Sequence, residues 1–221
     1  MKSEKLDVAV TSRAAESNAL WMINHLRSQM YRDLLGRVTY LPIANSNQSE
    51  WRSEIQKHSF SILYHTRNHG RINLTDVTDS LYDLELQELS ETLGRDNVMV
   101  VVDDLVKSDE EERQRILEHQ PSLSRWASQL VLFSVSEKNP VPAHKQQVLL
   151  QTFRRGNRDP SNKEAGSPGD KPPDCPPHPT STITHKKDQQ QHNIWKVALA
   201  VAGCVAVGLL ARKWYIKRRP L

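Results

Sequence analysis

The sequence predicts an α/β domain, a three-layer flavodoxin-like sandwich whose five parallel strands run in the order 2-1-3-4-5. Three observations lead there. Short β-branched or apolar runs alternate with segments of helical period between Asp7 and Val135. The run "NVMVVV" (Asn97–Val102) is apolar without alternation, as in a strand covered on both faces. A helix-length segment separates most strand candidates from the next, and parallel neighbours need such crossovers, which are right-handed. A Rossmann-like sheet of different order fits the same pattern and is the alternative.

Taken in order, "DVAV" (Asp7–Val10) is the first strand, rich in β-branched residues. Ile23, Leu26, Met30 and Leu34 then share one helical face, and Gly36 stands where a glycine cap would end that helix. "VTYLPI" (Val38–Ile43) is a second strand, which Pro42 places at the periphery of the sheet. A short helix begins near Ser49, and "FSILYH" (Phe60–His65) is the third strand. In "DSLYDLELQELSETLG", Asp79 or Ser80 caps a helix that buries Leu81, Leu84 and Leu89 and that Gly94 closes. "SDEEERQRILEHQ" places acids in a first turn, as the helix dipole favours, and Pro121 follows it. "QLVLFSV" (Gln129–Val135) is the fifth strand. A last helix over "HKQQVLLQTFRR" turns Val148, Leu149 and Phe153 inward.

Charge divides the chain. Residues 1–135 carry 15 Lys and Arg against 20 Asp and Glu, whereas residues 136–221 carry 15 against 6. The basic excess therefore belongs to the second part, and a nucleic-acid role for the domain is disfavoured. Cys175 and Cys204, the two cysteines, support neither a disulfide framework nor a Cys-based zinc site.

The domain is expected over residues 1–155, with a Pro-rich disordered linker over 156–193 and a tail anchor over 194–221. As a flexible coil the linker reaches roughly 35 Å. From Val197 to Ala211 the chain runs 15 residues without a charge. At about 1.5 Å each, such a helix spans roughly 22 Å, short of the ~30 Å hydrocarbon core. Its flanks favour insertion: Trp195, Trp214 and Tyr215 suit the interface, while Lys196, Arg212 and Lys213 can snorkel. Such a span with a basic tail resembles tail anchors of the mitochondrial outer membrane, then those of the endoplasmic reticulum, with the domain facing the cytosol. Ala198, Ala202 and Ala206 would let two such helices approach, so a homo-oligomer is one expected assembly.

Several chemistries lack their motifs. "VMVVVDD" has the form of a Walker B strand, but no GxxxxGK[ST] accompanies it, and no GxGxxG follows the first strand. Acids after a strand also occur in response-regulator receivers, yet Thr11-Ser12-Arg13 replaces the acidic pair needed after strand one. Asp103 and Asp104 are therefore expected to form a helix-capping turn. GxSxG is absent, no cofactor is expected, and His65 with His69 lacks a third metal ligand. The loop from His65 to Asp83 is the candidate site. It leaves strand three at the edge where open α/β sheets bind ligands, and it gathers Arg67, Arg71 and Asp76 as candidate ligand contacts.

"SFSILYHT" followed by "DSLYDLELQEL" resembles the Toll/interleukin-1 receptor (TIR) homology domains, over about residues 6–135. The resemblance implies a flavodoxin-like sheet and a signalling or adaptor role through protein contacts, in innate immunity or cell death. Enzymatic TIR domains cleave NAD with a glutamate on that helix, in a pattern like S-x-W-C-x-x-E. Here Ser80-Leu81-Tyr82-Asp83-Leu84-Glu85 sets the glutamate one position early, with Glu88 as the other candidate and Asp79 as a further acid. The family's aromatic-rich first-strand motif is missing. A membrane-anchored adaptor is the expectation, and a nucleotide- or NAD-processing enzyme using residues 65–85 is its rival.

Overall fold

A computed structural model describes residues 5–157 of the chain. The expected linker beyond Asn157 and the anchor residues Trp195, Lys196, Arg212, Lys213, Trp214 and Tyr215 lie outside the described residues. Among the described residues no helix is long and apolar enough to cross a membrane.

Five strands form one all-parallel sheet: β1 (Leu6–Ser12), β2 (Leu35–Pro42), β3 (Phe60–Thr66), β4 (Val98–Leu105) and β5 (Gln129–Ser134). Their spatial order is β2-β1-β3-β4-β5, the expected flavodoxin-like order, with β2 and its Pro42 on an edge. Helices α1 (Glu16–Leu26) and α6 (Ala143–Gly156) pack on one face, through Met22, Ile23, Leu149 and Phe153. The other face carries α2 (Gln48–Ile55), α3 (Asp83–Leu93), α4 (Glu110–His119) and α5 (Ser122–Trp126), packed through Trp51, Leu86, Ile116 and Leu123. β3 is buried at every residue, and β4 at all but one, because both faces are covered. Tyr31, in a short turn after α1, sets its ring edge-on to Phe153, which in turn meets Phe60. Each fully buried apolar side chain contributes about 1.5–3 kcal/mol, so the two layers supply the main stabilisation.

Four local expectations are corrected. α1 stops at Leu26, because Ser28 turns extended, and Met30 stands 45% exposed instead of continuing the buried stripe. Gly36 is no helix cap but lies inside β2, where a Cβ would sit 2.5 Å from Asp7 Oδ1. That carboxylate accepts the Arg37 N–H at 2.8 Å, so the glycine permits close approach of a neighbouring side chain. α3 begins at Asp83, not at Asp79 or Ser80, since Asp79 takes a left-handed φ of 60°. With that start Leu86 and Leu89 face the core, and Leu84, expected inside, is 71% exposed. Finally, Asp109 caps α4 by accepting the Glu112 N–H at 2.9 Å, whereas Asp103 and Asp104 belong to β4.

Truncating Leu86 to Ala should therefore cost about 2–5 kcal/mol by opening a cavity. Leu84→Ala should stay within about 0.5 kcal/mol. Urea denaturation of the two variants checks the helix phase, and equal losses would refute it.

Candidate functional site

β4 ends irregularly. Val102 pairs with Leu132 and Leu105 with Ser134, so β4 carries one residue more than β5 over that stretch, a bulge. Asp104 supplies the bend with a left-handed φ of 59°, a conformation short polar residues tolerate. Both acids of the bulge point to Lys138, just past β5: its Nζ lies 2.9 Å from Asp103 Oδ2 and 2.6 Å from Asp104 Oδ1. Asp104 Oδ2 also accepts from Thr66 Oγ1 at 2.7 Å and Asn68 Nδ2 at 2.8 Å, which ties the end of β3 to the bulge.

Asp103 is fully buried. Its Oδ2 accepts from Trp21 Nε1 at 2.6 Å and meets the Tyr64 hydroxyl at 2.5 Å, while Oδ1 has no partner. Burial pushes this carboxyl above its ordinary value, against the opposing hydrogen bonds of Tyr64 and Lys138. Tyr64 has one proton but two acceptors in reach, the second being Asn18 O at 2.7 Å. On Asp104 burial also pulls upward, but the hydrogen bonds from Lys138 and Thr66 prevail and hold it low. Nearby, Glu137 accepts from Lys145 Nζ at 2.6 Å and from the Ser134 N–H at 2.8 Å. Burial opposes its ionisation, yet Lys145, Ser108 and Ser134 bring it down to about 2.

The loop after β3 is packed, not loose. Leu74 and Thr75 are buried, and both backbone N–H groups donate to Gln120 Oε1, at 2.8 and 3.0 Å. Gln120 Nε2 donates back to Ile72 O at 2.8 Å. Asp76 faces α5, accepting from Ser122 N–H at 2.8 Å and Ser122 Oγ at 2.7 Å. Arg67 donates to Gly70 O at 3.0 Å, within its own turn. The Arg71 guanidinium and the Asp79 carboxylate make no hydrogen bond among the described residues, and both are exposed. The loop thus folds Arg67 onto its own turn, leaves the Arg71 guanidinium in water and turns Asp76 toward α5.

His65 is buried with Nε2 at 3.0 Å from Arg71 O. A carbonyl only accepts, so Nε2 carries the proton and Nδ1 is left to the Tyr82 hydroxyl at 3.5 Å. Burial lowers its pKa to about 4. Glu85 is likewise inside: its Oε1 takes Arg13 Nη2 at 2.6 Å, and Arg13 also donates to Leu81 O at 2.8 Å. Glu88 pairs with Arg52 at 2.5 Å. The two glutamates line one shallow groove between α2 and α3, with Ile43 and Trp51. Among the described residues no cluster of His, Cys, Asp and Glu could hold a metal ion.

Sequence reasoning missed Arg13, Lys138, Trp21 and Tyr64. Two of them carried a signal, since Arg13 and Lys138 follow β1 and β5 at the edge already singled out.

Two outcomes follow. Lys138→Met should cost about 3 kcal/mol in urea denaturation, because it leaves Asp103 and Asp104 crowded without their cation; Arg71→Ala should stay within about 0.5 kcal/mol. A neutral, buried His65 binds its proton less readily than the unfolded chain does between pH 6.5 and about 4. Its contribution is whole above pH 6.5 and is lost on acidification through that window, on the order of 2–3 kcal/mol. Urea midpoints from pH 7 to 4 should fall, and His65→Gln should flatten that part of the curve; an unchanged slope would refute the role.

Comparison with protein-family models, with curated proteins and with solved structures finds no match to this chain.

Proposed function

We propose that the chain is a membrane-tethered interaction protein whose folded domain engages protein partners at the carboxyl edge of its sheet, as a signalling adaptor does. The observation that carries this reading is how that edge treats its polar and apolar groups. Most of its charges are closed on one another: Asp103 and Asp104 on Lys138, Glu137 on Lys145, Glu85 on Arg13. Meanwhile Val106, 99% exposed, and Val135, 67% exposed, stand in water just beyond Leu105 and Ser134, which pair across β4 and β5. Apolar side chains on rigid strand exits are what a protein partner buries. The tether rests on the apolar run Val197–Ala211, whose short span and basic flanks favour the mitochondrial outer membrane. The link to innate immunity or cell death rests on the TIR resemblance alone.

One observation favours the rival enzyme: Glu85 and Glu88 share a groove. Its size weighs against it, since the enclosed space is about 10 Å³, room for one water and far below the 300–1,000 Å³ usual for small-molecule sites. Both glutamates are also already ion-paired.

Val106→Asp combined with Val135→Asp should abolish the partner crosslinks that the wild-type chain forms in cells. The urea midpoint should be unmoved, since both side chains are exposed. Identical crosslinks from the double variant would sink the reading. So would steady consumption of NAD by the purified wild-type chain that Glu85→Gln removes.

A further inference from the structure

The opposite, amino edge of the sheet has a different character. α1 ends there with Arg27, whose Nη2 donates to Val38 O at 2.7 Å and so covers part of the open edge of β2. The turn that follows lifts Met30 into water, 45% exposed, and ends on the exposed Arg32. Lys5, Arg27 and Arg32 line a shallow groove over the buried Tyr31. α6 ends at the same corner, because the Tyr31 and Phe153 ring centroids lie 5.9 Å apart. Arg154 and Arg155 in its last turn are exposed there. Two carboxylates are near: Asp7, held by Arg37 at 2.6 Å, and the exposed Asp33. Among the described residues, Lys5, Arg27, Arg32, Arg154 and Arg155 form no ion pair.

This arrangement runs against the domain's own charge, since residues 1–135 hold more acids than bases. Bases without ion pairs at one corner, with an exposed methionine in the adjoining turn, match the chemistry of an anionic lipid surface, where guanidinium and ammonium groups meet headgroups and an apolar tip enters the interface. The course of the chain adds to this. Gly156 packs against Phe60, the first residue of β3, so the described residues end at this edge.

We propose that the corner formed by Lys5, Arg27, Met30, Arg32, Arg154 and Arg155 docks on the anionic surface of the membrane that tethers the chain. The proposal rests on the tether reading. It orients the domain, with the amino edge on lipid and the carboxyl edge, with Val106 and Val135, toward the cytosol. Weak docking suffices, because a tether raises the local concentration of the surface.

The test uses the full chain in phosphatidylcholine vesicles, with or without about three-tenths phosphatidylserine to supply a negative surface potential. A fluorophore is placed at Met30→Cys or, for the opposite edge, at Val106→Cys, with Cys175 and Cys204 changed to Ser. Quenching by spin-labelled lipid should appear at position 30 in anionic vesicles and stay absent at position 106. In about 0.5 M salt it should vanish, because the screening length shortens. Arg27→Gln with Arg32→Gln should lower the docked-to-undocked ratio about thirty-fold. Equal quenching at both positions, or none at position 30, overturns the docking. Flotation of salt-washed chain with neutral vesicles tests the tether separately. A chain that floats without quenching at position 30 keeps its tether and loses the docking. One that fails to float yet is quenched at position 30 by anionic vesicles loses the tether and keeps the docking.

Discussion

Lys138 neutralises two carboxylates at once, and the carboxyl edge is organised around that contact. β4 ends in a bulge with a left-handed Asp104, and a cation from beyond β5 meets both acids where the strand bends. From the same pair of carboxylates the order spreads in three directions. Trp21 anchors α1 to Asp103, Tyr64 links the interior of β3 to it, and Thr66 with Asn68 fixes the start of the long loop on Asp104. Coulomb attraction is strongest where water is excluded. The buried end of this network therefore sets its geometry, and the exposed end is free to meet other molecules.

The two ends of the sheet follow different rules. At the carboxyl edge most charge is paired inward, Arg71 and Asp79 apart, while Val106 and Val135 face out. At the amino edge the pattern reverses around Tyr31, with an apolar ring inside and bases outside. A doubly wound sheet makes that separation easy, because every crossover returns the chain to the opposite end and the two sets of turns never mix. One domain can thus carry two unlike surfaces without compromise in its core.

The architecture was legible because it depends on period and composition. "NVMVVV" announces a strand covered on both faces, Pro42 announces an edge, and Gly94 closes α3 with a φ of 83°. Local boundaries were less so. No glycine or proline marks the end of α1, and the apolar residues Met30 and Leu34 continue its period by chance. Gly36 invited a capping role, while its use is steric and involves Asp7 from the neighbouring strand. The site was least legible, because its pairs are distant in sequence: Arg13 and Glu85 stand 72 residues apart, and Lys138 lies 34 from Asp104. Spacing rules see neighbours on one element, and these partners meet only after the sheet has formed.

The ring contact between Tyr31 and Phe153 joins the first crossover to the last helix. It brings together segments from almost opposite ends of the domain, so its loop-closure entropy is among the largest the fold must overcome. Parallel sheets already fold slowly for this reason. Until α6 docks, Tyr31 and Phe60 lack the ring of Phe153 that packs against both. A nascent or truncated chain lacking Phe153 would present that aromatic surface to its surroundings, and its fate would turn on chaperones and aggregation more than on any loss at the sites above.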